Sequence, residues 1–354
     1  MSDNENAYDE QEAEVLLSLI KSFDTAMADP DVTEIMFNMP GEYWTKGSRG
    51  TERVVCSEIT VQKMKSINRS IAVYNKSKEQ ALSYFQMPNG ERCTIIMPPA
   101  CLNGYMGLII RKFVEKSFTL TQVIEQGAFE NVRNTSFNLL TDSEILERKE
   151  RRDFNRIEAN DAQLLTYLNH GNYRDFFEFA IKCKKNIVIS GATGSGKTTF
   201  MRALIESVDR GERIITMEDV NELKLESFPN KLPLIFGRGE GRINPQQLLE
   251  ACMRATPDRI FLAELRGYET WHYLMSLNTG HPGSITSVHS GTAYRAFQRI
   301  ATLAMQSEDA RSLGFEVVRN EVYTTIDIVV QMHHRKITEI FFDPIYVANL
   351  KNQN

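Results

Sequence analysis

Apolar positions change their period several times along this chain, and each change predicts an element. Behind an acidic start, Val15, Leu16, Leu19, Ile20, Phe23 and Met27 recur at three- and four-residue steps, which predicts an amphipathic helix over residues 14–27. Residues 32–38 and 42–45 flank Pro40-Gly41, and residues 81–87 and 91–97 flank Pro88-Asn89-Gly90, so two β-hairpins are expected. These elements define an α+β N-terminal domain over residues 1–140. Over residues 141–156 the apolar stripe disappears, and Glu147-Arg-Lys-Glu-Arg-Arg-Asp153 alternates in sign; residues 141–172 read as a charged linker. From residue 173 onward, helix-like and strand-like runs alternate. Helices are expected over 173–181, 199–208, 246–256 and 268–278, with strands over 186–190, 213–217, 259–263 and 285–289. A closing hairpin pairs 326–331 with 336–342 around His333, His334 and Arg335. Such alternation builds an α/β domain on a parallel-core sheet over residues 173–354, with ligands at the carboxyl ends of the strands.

Composition narrows the class without changing that picture. A chain of 354 residues, 42% of them hydrophobic, can build two cores, and a net charge of −5 gives no basic footprint for nucleic acid. The five cysteines, Cys56, Cys93, Cys101, Cys183 and Cys252, never fall in a C-x-x-C spacing, so they read as reduced cytosolic thiols rather than disulfides or a zinc site. Asp3, Glu5, Asp9, Glu10, Glu12 and Glu14 precede any basic residue, the reverse of an export signal. No run of about 18 apolar residues spans a bilayer, which leaves only contact with a membrane surface open.

The chemistry centres on Gly191-Ala-Thr-Gly-Ser-Gly-Lys-Thr198, which fills every fixed position of the phosphate-binding loop G-x-x-x-x-G-K-[ST] between a predicted strand and a predicted helix. Gly191, Gly194 and Gly196 let the backbone turn tightly, so that successive N–H groups and the positive end of the helix face a polyphosphate. Gly191, Thr193, Gly194, Ser195, Gly196, Lys197, Thr198 and Thr199 are therefore the candidate nucleotide-binding residues, Lys197 reaching the β and γ phosphates and the Thr198 hydroxyl placed for Mg²⁺. Two further strands end in acid: 213–217 at Glu218-Asp219, and 259–263 at Glu264. A carboxylate there can hold a Mg²⁺-bound water or orient the attacking one. Helix capping competes for Glu218 and Asp219, and an ion pair with Arg266 competes for Glu264. His281 and His289 stand eight residues apart across a turn and a strand, too far for one metal. His289 suits a γ-phosphate sensor or a hydrogen bond between subunits, while His281 suits the turn. Arg92 and Arg111 sit at the ends of strand-like segments, where a surface ion pair and a catalytic role are both open.

The ordered set Gly191 to Thr198, Ile215-Thr-Met-Glu-Asp219, Arg254-Ala-Thr-Pro-Asp-Arg-Ile-Phe-Leu-Ala-Glu-Leu-Arg266 and Gly280-His-Pro-Gly-Ser-Ile-Thr-Ser-Val-His289 resembles the traffic ATPases of bacterial secretion. That family carries a phosphate loop, an aspartate box, an atypical second Walker motif ending in Glu, and a histidine box. Gly280-His-Pro-Gly-Ser284 looks most like the type IV secretion members. More weakly, Val32-Thr-Glu-Ile-Met36, Pro88-Asn-Gly-Glu-Arg92, Met97-Pro-Pro-Ala100 and Ile110-Arg-Lys112 look like the family's N-terminal domain. The resemblance implies a RecA-like ATPase domain and a homohexameric ring hydrolysing ATP with Mg²⁺. It implies Lys197, Glu218, Glu264, His289, Arg92 and Arg111 as catalytic residues, the two arginines reaching the γ-phosphate from the N-terminal domain. Thr198, Glu218 and Glu264 would then face the metal. It further implies a place at the cytoplasmic face of the inner membrane beside other secretion subunits, with no stable nucleic-acid complex. Ala263 departs from the glycine that relatives often have, and the charged linker is long. A nucleic-acid motor and a nucleotide-gated docking platform are the competing functions.

Overall fold

A computed structural model of the chain describes residues 2–47, 49–112, 118–153, 156–237 and 243–352. It divides into two units, Met1–Lys116 and Ser117–Asn354.

The first unit is a six-stranded antiparallel sheet in the order Gly50–Val55, Glu42–Gly47, Val32–Phe37, Gly107–Arg111, Arg92–Ile96, Leu82–Gln86. Both expected hairpins are present, with Gly41 and Gly90 taking the positive φ that their turns need. Alternate strand residues Ile35, Phe37, Cys93, Ile95, Leu108 and Ile110 face inward. They meet Met64, Ile67 and Ile71 of the helix Val61–Tyr74, and Leu16, Ile20 and Phe23 from the N-terminal segment. The helix expected over 14–27 is broken into Ser2–Leu19, a 3-10 turn at Lys21–Phe23, and Asp24–Ala28. The Phe23 N–H donates to Ile20 O, and this tightened turn keeps both side chains in the core while Val15 is left exposed.

The second unit begins earlier than the expected boundary at 140. Residues 141–172 fold into it instead of linking: Asp142–Glu150 is a helix opened by a capping box between Thr141 and Glu144. Ile145 and Ile157 of this charged stretch are buried with Leu164, Leu165 and Leu168 of the helix Ala159–Asn169, in the same core as Phe176, Phe177 and Phe200. Ile145 and Ile157 are too few to register as a stripe, and the helix that follows them supplies further packing. Further upstream, Arg133–Asn134 adds a short strand beside Lys336–Phe342.

The main sheet runs Ile285–Val288, Ile187–Gly191, Ile328–His333, Lys336–Phe342, Arg133–Asn134, and the loop strand Ile187–Gly191 is parallel to both neighbours. A second, all-parallel sheet runs Lys231–Ile235, Ile214–Glu218, Arg259–Leu262. Leu265 N–H donates to Ser287 O at 2.9 Å and the Ser287 hydroxyl donates to Ala263 O at 2.8 Å, tying the two sheets together. Strands buried on both faces read as unbroken apolar runs, and Ile187–Gly191, Ile214–Glu218, Arg259–Leu262 and Ile285–Val288 are buried throughout. The expected closing hairpin is present, with His334 and Arg335 at positive φ in its turn.

Candidate active site

The phosphate loop leaves the loop strand at Gly191 and enters the helix Lys197–Ile205 through Gly196, whose φ of +99° suits glycine alone. A Cβ on Gly191 would lie 2.5 Å from Ser195 Oγ and 2.7 Å from Met332 O. The closing hairpin braces the loop from behind, since the Arg335 N–H donates to Ser195 O at 2.9 Å. Ala192, Thr193 and Gly194 are exposed, whereas Ser195 and Lys197 are buried. The loop therefore offers its tip to solvent on a fixed base, as polyphosphate binding at a helix N-terminus requires. Thr199, the third residue of the helix, is partly buried.

Lys197 Nζ donates to Gly191 O at 2.8 Å and Ala192 O at 3.0 Å, and lies 3.3 Å from His289 Nδ1. His289 Nε2 in turn meets Glu264 Oε1 at 3.0 Å. Burial first, and the Lys197 charge second, hold the imidazole below its ordinary pKa, with Glu264 opposing. A neutral ring that accepts from Lys197 at Nδ1 and donates to Glu264 from Nε2 satisfies both contacts. Glu264 Oε2 accepts from Arg266 Nη2 at 2.9 Å, and Arg266 Nη1 reaches Asp219 Oδ2 at 2.5 Å. Both oxygens of Glu264 are thus engaged, and its side chain keeps 20% of its surface in solvent. The ion pair with Arg266 anticipated as a competitor is present.

Glu218, on the neighbouring strand, is built differently. It is 1% exposed; Oε2 accepts from the backbone N–H groups of Glu222 at 2.8 Å and Leu223 at 2.9 Å, while the buried Oε1 has no hydrogen-bond partner. Burial pushes its carboxyl up to about 7, against the pull of the two amides. The same turn delivers Glu222, whose Oε2 accepts from Thr198 Oγ1 at 3.2 Å.

The residues with expected catalytic roles divide between the two units. Lys197, Glu264 and His289 are directly linked, and Glu218 connects to Thr198 through Glu222. His281 precedes Ile285–Val288, at the other end of that strand from His289. Arg92 and Arg111 belong to the other unit, where they are direct cross-strand partners, and Arg111 Nε lies 3.5 Å from Glu34 Oε1. Glu222 and the Asp219–Arg266 bridge were not singled out as site contacts beforehand. Glu222 carries a signal only in hindsight: it follows Glu218 by four residues, and a tight turn folds it back onto the loop helix.

The residues present fit ATP and Mg²⁺. A glycine cradle with an exposed tip, a buried lysine and a helix N-terminus suit a polyphosphate, and Thr198, Glu218 and Glu222 supply the oxygen donors that Mg²⁺ prefers. Among the described residues no cluster of three or more His, Cys, Asp or Glu side chains forms a ready metal site.

Fold and loop together define a phosphate-loop ATPase with a RecA-like domain and an α+β N-terminal domain. Residues 151–339 match the family model for type II/IV secretion system proteins. The type IV secretion system protein VirB11 of Bartonella quintana is 32% identical over the full length of both chains. VirB11 of Brucella abortus is 33% identical over 89% of this chain and 86% of its own. Among solved structures, the VirB11 ATPase of the Brucella suis type IV secretion system, crystallised with sulphate, covers 98% of this chain and 100% of its own at 30% identity and a TM-score of 0.52. The pilus retraction motor PilT with bound ADP, 16% identical, covers 96% of this chain and 86% of its own at a TM-score of 0.55, a likeness of fold. The chain belongs to the VirB11 family of type IV secretion ATPases.

Proposed function

We propose that this protein hydrolyses ATP in a Mg²⁺-dependent reaction and works as a homohexameric ring that energises type IV secretion, driving pilus assembly and the transfer of DNA or protein. The observation that carries the reading is the convergence of Lys197, Thr198, Glu218, Glu264 and His289 at the carboxyl ends of parallel strands from the two joined sheets, in a chain of VirB11 ancestry. Bound Mg²⁺ would spread the charge of the β and γ phosphates, held through Thr198 and facing Glu218 and Glu264. Gly191 to Thr199 bind the polyphosphate through backbone N–H groups, and Lys197 leaves its loop carbonyls to neutralise the transferring phosphoryl group. Glu218 orients the attacking water: its Oε2 is fixed by two amides, its Oε1 is free to accept, and its raised pKa makes it a better base than an ordinary carboxylate. Glu264, tied to Arg266 and His289, would hold the metal's water shell, and His289 passes the state of Lys197 on to it. Arg92 and Arg111 supply positive charge to the γ-phosphate.

Loss of the γ-phosphate would release the arginine side of the site and let one unit turn against the other, a hinge motion passed to partner subunits. No helix among the described residues is long and apolar enough to cross a membrane. The proposed location is peripheral, at the cytoplasmic face of the inner membrane, beside the other secretion subunits. The test is phosphate release from Mg-ATP at fixed salt, with and without single- and double-stranded DNA, alongside the mass of the particle in the presence of a non-hydrolysable analogue. A hexamer whose turnover ignores DNA is the expected result. Stimulation of roughly tenfold that fades as salt rises would make the strand the track and replace this reading with a nucleic-acid motor.

A further inference from the structure

The sheet of the Met1–Lys116 unit ends at the strand Leu82–Gln86, and the helix Val61–Tyr74 packs beside it. Between them opens a cavity of about 530 Å³, lined by Lys65, Asn68 and Arg69 from the helix and by Ser83 and Phe85 from the strand. That volume lies in the range of ligand sites. One stretch of the strand's open edge is already closed. Asn75, which caps the helix, donates from Nδ2 to Gln86 O at 2.8 Å and accepts from Gln86 N–H at 3.1 Å, so a side-chain amide does there what a neighbouring strand would do. Met97 N–H donates to Ala81 O on the hairpin side, which fixes the alternation. The backbone groups of Leu82 and Tyr84 therefore share the outward direction of Gln86, and among the described residues no strand pairs with them. Their side chains are exposed, Tyr84 by 71%.

The cavity also holds an unmet acceptor. Asn68 is 5% exposed, its Nδ2 meets Met97 Sδ, and its Oδ1 has no hydrogen-bond partner. A buried carbonyl oxygen without a donor is costly, and a ligand that supplies one gains by it. Lys65 and Arg69 stand one helical turn apart on the rim, and the one carboxylate lining the cavity is Glu79, 4.0 Å from Arg69. Open strand edge, orphan acceptor and cationic rim lie side by side.

We propose that this groove binds an extended peptide segment with acidic side chains. The segment adds as a strand along Leu82 to Tyr84, places a carboxylate against Lys65 and Arg69, and donates a hydrogen bond to Asn68 Oδ1. Main-chain pairing supplies the affinity and the two cations select the sequence. The groove uses none of the residues assigned to ATP, so the proposal stands or falls independently of the function proposed above.

The test uses the full chain and a fluorescein-labelled, acetylated hexapeptide alternating valine and glutamate, with the valine–lysine counterpart as control. Anisotropy reads affinity, and hydrogen exchange reads the Leu82 and Tyr84 amides. The acidic peptide is expected to bind at least roughly tenfold tighter than the basic one and to slow exchange at both amides. Tyr84→Pro, which removes an edge N–H, and the double change Lys65→Glu with Arg69→Glu, which leaves the backbone intact, should each weaken binding by roughly tenfold or more. ATP turnover should be unchanged in all of them. Equal binding of both peptides, or no binding, overturns the proposal. So does displacement by inorganic phosphate without any effect on Leu82 and Tyr84 exchange, which marks an anion site only. A changed oligomeric state in the double variant overturns it as well, because the occupant would then be a second copy of this chain.

Discussion

Glu218 ends one parallel strand and Glu264 follows the neighbouring one by two residues, yet their surroundings are opposite. Glu218 is enclosed, held by two backbone amides on one oxygen, and left with a free second oxygen. Glu264 is half open, with Arg266 on one oxygen and His289 on the other. Burial raises the pKa of the first; ion pairing occupies the second. Two carboxylates of equal chemistry are thus divided by environment into one suited to taking a proton and one suited to holding a charged network in place.

The sharpest way to break this division is to neutralise each carboxylate without changing its shape. Glu218→Gln should lower the single-turnover rate of ATP cleavage by roughly a thousandfold while leaving the Kd for ATP nearly unchanged. Glu264→Gln should cost less, roughly ten- to a hundredfold, and should raise the Mg²⁺ concentration needed for half-maximal rate. Equal losses in both variants would remove the distinction.

The pH dependence sharpens the same point. Glu218 acts once it has lost its proton, so kcat/KM should climb as pH rises through about 7, and the Glu218→Asp variant should shift that limb. Stability runs the other way. A carboxyl whose folded pKa is raised favours the folded state most below its ordinary value of 4.5, and that contribution is lost as pH rises through about 7. Glu218→Gln should therefore raise Tm relative to the parent at pH 8.5 and by much less at pH 5, as differential scanning fluorimetry would register.

Smaller effects are expected from the residues that only orient. Arg266→Gln frees both Glu264 and Asp219, and should slow turnover roughly tenfold, with Arg266→Lys restoring part of the rate. Glu222→Gln weakens the hold on the Thr198 hydroxyl, and should change the Mg²⁺ requirement by roughly two- to fivefold with little effect on kcat.

Much of this site was legible in the sequence because its signals are local. The glycine spacing, the buried strand before it and the helix after it sit within one stretch, and each strand-end acid follows directly on an apolar run. The parallel strands follow from unbroken apolar runs that alternate with helices, and both early hairpins from glycine turns between strand-like runs. What escaped depends on contacts between distant residues. Nothing local says that Glu222 folds back to Thr198, that Arg266 bridges Asp219 and Glu264, or that Arg335 braces Ser195. The segment 141–172 reads as a linker for the opposite reason: charges dominate the pattern at its start, while Ile145 and Ile157 join Leu164, Leu165 and Leu168 in the core.

The most direct test of the central claim is phosphate release from Mg-ATP by the Lys197→Ala variant, compared with the parent at matched folding by circular dichroism. Lys197 joins the phosphate loop to His289 and through it to Glu264. The account predicts turnover at the detection limit in a folded protein. Turnover equal to the parent's would contradict it, because the loop would then not be where ATP is cleaved.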